Sequence, residues 1–186
     1  FALVNVTAKY LAETYNPGQV VWARFFLQMV ILAIMLGPRS LSALSSRRPG
    51  LQLLRSLAMA ICTGLYFYGV SFLPIADITA VMFSAPLIVT ALSVPILREP
   101  VGARRWTAVI IGFGGVLMIV QPEGELGGLQ VLIPVVAAFA LGFYHLLTRM
   151  VSTVDSTVTS TIYTTLVGAV LFSLYVPNVW QTPDLE

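Results

Sequence analysis

Long apolar runs separated by short polar stretches organise this chain from end to end. The runs cover 19–37, 54–73, 75–97, 106–121, 128–148 and 157–177, and another ends near Leu11. A helix needs about 20 mostly apolar residues to cross a bilayer, so the pattern predicts about seven spanning helices, the first truncated. Asn16-Pro17-Gly18, Pro74 and Gln121-Pro122-Glu123-Gly124 punctuate the runs with residues that break helices.

Composition narrows the class. Hydrophobic residues make up 58% of the chain, charged residues 10%, and mean hydropathy is +0.89. An ordinary soluble domain carries about 25% charged residues, so this chain lacks the means to cover itself for water. It reads as an all-α, polytopic membrane protein. One cysteine, Cys62, excludes an internal disulfide and a cysteine-based metal site, and one histidine, His145, excludes a histidine cluster.

Charge placement sets the expected orientation. The 38–55 stretch, taken as a loop, holds Arg39, Arg47, Arg48 and Arg55 without an acid. The 98–105 loop holds Arg98, Arg104 and Arg105 against Glu99, and Arg149 closes the sixth run. Glu13, Asp77, Glu123, Glu125, Asp184 and Glu186 fall on alternate sides, with Lys9 the one nearby base. Positively charged loops stay inside, so the arginine loops are expected in the cytoplasm of a multi-pass inner-membrane protein.

The stretch 143–177 reads like the opening of the chain at an offset of about 140 residues. In both, a helix ends in a cation (Lys9, Arg149), a polar loop follows and a second helix begins. Five runs separate equivalent points, an odd number, so the second copy is expected to be inverted in the membrane. That predicts a bundle of inverted five-helix repeats: residues 1–122 form the first repeat, and 128–186 begin a second whose last helices lie beyond this fragment. Inverted repeats are common in secondary transporters, with the solute site between the halves near the midplane.

Several residues are candidates to line such a site. Arg24 lies within an apolar run, where an unpaired charge costs roughly 2.5–17 kcal/mol near the bilayer centre, and arginine does not escape by deprotonating. It either snorkels outward or recognises a carboxylate or phosphate through its guanidinium fork. Thr79, Phe83, Pro86, Thr90 and Ser93 fall on one face of the fourth run at helical spacing. Pro86 frees the Met82 carbonyl, so a slightly bent, cavity-lining helix stands beside a plain kink with self-bonded hydroxyls. Thr157, Ser160, Thr164 and Gly168 share a face beside Tyr163, and Ser56, Ala60 and Gly64 share another. Helix packing is the expected role of both faces, whereas Tyr163 is expected to line the solute path with the Thr79–Ser93 face. Tyr66, Tyr68 and Tyr144 line a pathway or belong to the interfacial aromatic belt. His145 is placed for solvation or capping ahead of a proton relay, and Lys9 with Glu13 for a local surface pair.

Enzymatic constellations are missing: no Ser/His/Asp set, no HExxH and no paired intramembrane carboxylates. Gly112-x-Gly114-Gly115 sits inside an apolar run, the wrong context for a nucleotide loop. The short basic loops are explained by topology, so nucleic-acid binding has no support, and no cofactor or metal is expected.

The stretch SAPLIVTALSVPILREPVGARRWTAVIIGFGGVLMI (84–118) resembles the EamA-type members of the drug/metabolite transporter superfamily. Pro86, the post-span Glu99, and Gly112 and Gly115 in the next span carry the likeness, with Arg24 in VVWARF. TIYTTLVGAVLFSLYVPNVW resembles a second-repeat opening but lacks an arginine equivalent to Arg24. The resemblance implies ten spans in two inverted repeats and alternating-access movement of a small polar metabolite such as an amino acid, amine or vitamin-like compound, with export the expected direction. It also implies a structural Glu99, paired with Arg98 or with Arg104 and Arg105. Expected partners are the small-molecule solute and the lipid bilayer, with a coupling proton and a homodimer left open. The rivals are a non-transporting scaffold or accessory subunit and a membrane enzyme acting on lipid intermediates.

Overall fold

Local chemistry starts the first described helix. The Asn16 side chain accepts a hydrogen bond from Gly18 N–H at 2.9 Å, and Pro17 occupies the first helical position, where no amide partner is needed. This helix, α1, spans Pro17–Leu36 and stops at Gly37, whose φ of 52° favours a residue without Cβ. The computed structural model describes residues 15–37, 44–120, 130 and 132–180. The remaining helices are α2 (Pro49–Val70), α3 (Ile75–Met82), α4 (Ala85–Leu97), α5 (Ala103–Val120), α6 (Leu132–Val151) and α7 (Thr157–Tyr175). A 3-10 turn, Val176–Asn178, extends α7. The truncated first run, Lys9, Glu13 and the polar stretch 121–129 lie outside the described residues.

Five stretches are long and apolar enough to cross a membrane: α1, α2, α3 with α4, α6, and α7 with its 3-10 turn. The protein is an all-α, multi-span membrane bundle.

Two boundaries depart from the sequence expectation. The fourth run, expected as one bent helix, is two: α3 ends at Met82, Phe83 and Ser84 turn, and α4 restarts with Pro86 in its first turn. Proline tolerates a first turn but crowds the carbonyl four residues back, so restarting relieves what bending would have to absorb. The third run, expected over 54–73, begins instead at Pro49, more than a turn earlier. Arg55 is therefore a helix residue within the bundle, not a loop residue.

The α2–α6 pair forms the middle of the bundle, with α7 against α1 and α2 on one flank and α3, α4 and α5 on the other. Small residues bring these helices close. A Cβ at Gly168 of α7 would lie 2.5 Å from the Phe25 ring of α1, and one at Gly142 of α6 would lie 3.2 Å from the Ala85 carbonyl of α4. Ile34, Met35, Ile111 and Met118 are each more than 70% exposed (77, 78, 74 and 78%), a surface suited to lipid rather than water.

The two ends of the bundle differ in charge. Asp155 in the α6–α7 turn bonds the 44–48 segment, and Glu99 after α4 bonds Arg149 of α6, so these polar segments share one end. The opposite end holds the Trp22–Ser173 hydrogen bond and the edge-on contact of Trp22 with Trp180. Arg47, Arg48, Arg98, Arg104, Arg105 and Arg149 belong to the first end; Asp77 is at the second.

Candidate functional site

Among the described residues, Arg55 has the most heavily bonded side chain. It is 2% exposed, and leaving a buried guanidinium unsatisfied is expensive. Its Nε donates to Gln52 Oε1 at 3.2 Å, and Nη1 to the Tyr144 hydroxyl at 3.2 Å and Thr148 Oγ1 at 3.4 Å. Its Nη2 donates to Thr164 Oγ1 at 2.7 Å and to the Ser160 carbonyl. The acceptors come from α2, α6 and α7, so one cation ties three helices together. All of them are neutral.

Gln52, fully buried, extends this network. Its amide donates to Asp155 Oδ2 at 2.9 Å and to Ser160 Oγ at 3.1 Å. Asp155 also accepts from the Ser46 hydroxyl and from Arg47 N–H at 3.0 Å. The Ser46 bond, aided by Arg47 and Gln52, holds the Asp155 carboxyl below the usual aspartate range against an opposing push from burial.

Beside this network lies a cavity of about 320 Å³ between α1, α2, α6 and α7. Asp155, Ser152 and Thr157 mark its arginine-end margin. Arg55, Tyr144, Thr148, Ser160, Thr161 and Thr164 form a hydroxyl-rich wall, and Arg24, Phe25, Gln28 and Met59 lie deepest along their helices. Arg24 differs from Arg55 in having an unfilled fork. Its guanidinium carbon sits 6.0 Å from the Phe67 ring centroid, and no carboxylate among the described residues pairs with it. The two arginines thus divide the work: one is spent on the walls, the other faces the cavity.

Of the residues singled out from sequence, Arg24 and Tyr144 meet in this cavity. Thr79, Phe83, Pro86 and Thr90 lie on the other flank, outside its lining. Phe83 is 76% exposed, the Thr79 hydroxyl is buried without a hydrogen-bond partner, and the Thr90 and Ser93 hydroxyls bond back to their own helix at Pro86 O and Thr90 O. Tyr66 packs with Phe67 and Val70, and Tyr163 donates to the Leu44 carbonyl at 3.1 Å, outside the cavity. His145 is exposed and also outside it. Glu99 pairs not with a nearby arginine but with Arg149, through two hydrogen bonds of 2.7 and 3.0 Å.

Sequence reasoning missed Arg55, Gln52 and Asp155, and assigned the Thr157–Ser160–Thr164 stripe to packing alone. The available signal was Pro49 as a first-position residue, which draws Gln52, Arg55 and Met59 onto one face of α2.

The sequence pattern of the EamA-like transporter family matches residues 1–121. The chain belongs to that family. This EamA-like chain is 28% identical over 181 residues to an S-adenosylmethionine uptake transporter of Rickettsia bellii, covering 97% of this chain and 62% of the relative. It is 30% identical over 188 residues to a riboflavin transporter of Vibrio cholerae, covering 99% and 63%. A pseudopaline exporter of Pseudomonas aeruginosa is 24% identical over 122 residues, covering 66% and 43%. The chain thus spans about three fifths of the length of the first two relatives. No solved structure matches it.

Proposed function

We propose that this chain forms part of a secondary transporter that moves a small polar organic metabolite by alternating access through the cavity between α1, α2, α6 and α7. The observation that carries the reading is the exposed, unfilled guanidinium of Arg24 bordering a cavity with a hydroxyl-rich wall in an otherwise apolar bundle. Such a site offers charge-assisted, forked hydrogen bonds to an anionic group and adaptable donors and acceptors to the rest of the solute. S-adenosylmethionine, for which the Rickettsia relative is named, carries a carboxylate that suits the fork. Riboflavin, for which the Vibrio relative is named, carries a polyol that suits the hydroxyls. Uptake and export both occur among the relatives' names, so the reading carries a solute class and a path.

In this reading the arginine end is cytoplasmic, by the positive-inside rule, and the cavity meets the cytoplasm at Asp155. Residues 1–122 make up the first repeat and 128–186 the opening of the second, within ten spans. Arg55 and Asp155 hold the wall; Arg24 takes the solute's anionic group.

Reconstitution of the full-length protein into liposomes tests the reading. Saturable uptake of labelled S-adenosylmethionine is expected, with competition by analogues that keep its carboxylate stronger than by their amides. The absence of saturable flux across a panel of amino acids, amines and vitamins would leave a membrane scaffold as the better account.

A further inference from the structure

A second cavity, of about 310 Å³, lies between α1, α2 and α7 toward the tryptophan end. Its lining includes Asn16, Gly18, Gly64, Tyr68, Phe172 and Tyr175. Along all three helices it follows the first cavity in register. The first touches α1 at Arg24, α2 at Met59 and α7 at Thr164; the second resumes at Val21, Gly64 and Phe172. At 1.5 Å per residue, the intervals are about 4.5, 7.5 and 12 Å.

An apolar plug sits where the two cavities meet. Val21, Phe25, Phe67 and Ala169 form one buried cluster, with Phe172 packed against them. Phe25 borders the first cavity and Phe172 the second, and their rings stack at 5.8 Å between centroids with 11° between planes. Both rings rest on glycine. A Cβ at Gly168 would lie 2.5 Å from Phe25, and one at Gly64 would lie 3.1 Å from Phe172 Cζ. The bare backbone is what lets two full aromatic rings fit between the helices. Arg24 reaches the plug through Phe67, so the solute-facing cation and the plug share a neighbour.

We propose that the two cavities are the opposite vestibules of one solute path, and that the Phe25–Phe172 stack, seated on Gly168 and Gly64, is its closed gate. The proposal rests on the transport reading and adds where the path runs and what closes it. A hydrophobic constriction of this kind blocks passage by excluding water and polar solute until its rings part. A solute entering at the tryptophan end meets Tyr68 and Tyr175 first, and reaches Arg24 once the stack has opened.

Thiol accessibility tests the gate in the full-length protein with Cys62 replaced by alanine and no other cysteine. Met59→Cys reports on the first cavity and Tyr68→Cys on the second, with a membrane-impermeant thiol reagent applied from outside the cell. Tyr68→Cys is expected to label readily and Met59→Cys slowly. Adding Phe172→Ala raises the Met59→Cys labelling rate by about tenfold or more, as expected when a rarely opened state becomes common. Phe172→Leu, which keeps the plug apolar and bulky, leaves that rate near its starting value. Tyr68→Cys labelling in each variant verifies that the bundle has folded.

The gate is overturned if Met59→Cys labels as fast as Tyr68→Cys with both rings present. It is equally overturned if Met59→Cys stays protected in folded Phe172→Ala and Phe25→Ala variants. Solute flux into liposomes separates the two readings: no flux in the unsubstituted protein removes the transport reading, whereas normal flux with unchanged protection removes the gate alone.

Discussion

Arg55 lies over the Tyr144 ring, 5.1 Å from its centroid, and donates to the hydroxyl of the same residue at 3.2 Å. One tyrosine therefore meets the guanidinium with both its π face and its oxygen, and joins the start of α2 to the last turns of α6. A cation–π contact desolvated in this way is worth about 2 kcal/mol or more.

Arg55→Met should destabilise the protein by about 1–3 kcal/mol, because it strips the neutral acceptors Gln52, Tyr144, Thr148 and Thr164 of a shared donor inside the bundle. Arg55→Lys should recover little, since an ammonium does not reproduce a planar fork feeding several acceptors. Thermal unfolding in detergent reads the loss. A melting temperature for Arg55→Met equal to that of Arg24→Ala would remove Arg55 from its central role.

Arg24→Ala should do the opposite. It breaks no hydrogen bond among the described residues, so membrane abundance and melting temperature should stay near those of the unsubstituted protein. Apparent affinity for an anionic solute should fall about ten- to a hundredfold, the value of one charged hydrogen-bonding contact. Transport kinetics in liposomes check this; unchanged affinity would place the anion elsewhere.

Asp155 gives a pH signature. Its carboxyl is held below the usual range by Ser46 first, then by Arg47 and Gln52. A carboxylate depressed in the folded state contributes stability that is present above its ordinary range and is lost as pH falls through the lowered value. The stability advantage over Asp155→Ala should therefore be full at neutral pH and shrink below about pH 4. Melting temperatures across that window decide it, and an advantage that grows in acid would contradict the assignment.

Glu99 and Arg149 form an ion pair whose side chains are 40% and 58% exposed. Its coupling should stay below about 1 kcal/mol despite the two parallel bonds, since solvent screens it. A double-mutant cycle on Glu99→Gln and Arg149→Gln measures the coupling directly.

Two glycines on neighbouring positions in the family-like stretch should behave unlike those at the plug. Gly114 and Gly115 face open space, so alanine there should stabilise α5 by about 0.5–1 kcal/mol. Gly168→Ala should cost about 1–3 kcal/mol, because its new Cβ must displace the Phe25 ring. Unfolding midpoints of the three variants compare them, and a stabilised Gly168→Ala would mean that Phe25 moves freely.

Helix existence was legible because lipid imposes a strong, simple pattern: long apolar runs and breakers such as Pro17 and Pro74. Arg24 was legible for the same reason, as a charge with no local excuse. Arg55 was not. It follows an arginine-rich stretch, and only the exact start of α2 at Pro49 separates a loop cation from a bundle cation. The acceptors that settle its role, Tyr144, Thr148, Ser160 and Thr164, are about 90–110 positions away in sequence, and no local spacing announces them. The Thr79–Ser93 face shows the converse: its helical spacing is real in sequence, but the turn at Phe83 and Ser84 interrupts the helix that would have aligned it.

That turn has a mechanical consequence. Ser84 N–H bonds to Val81 O, a shorter-range bond than those of the flanking α-helices, and the Ser84 hydroxyl closes back on the same carbonyl. The α3–α4 crossing is therefore a rod with its own joint, where Pro86 supplies no amide and the Ser84 hydroxyl turns back onto α3. Its two segments can change their mutual angle without tearing a continuous hydrogen-bond ladder, so a tilt of α4 against α6 need not drag α3 along with it.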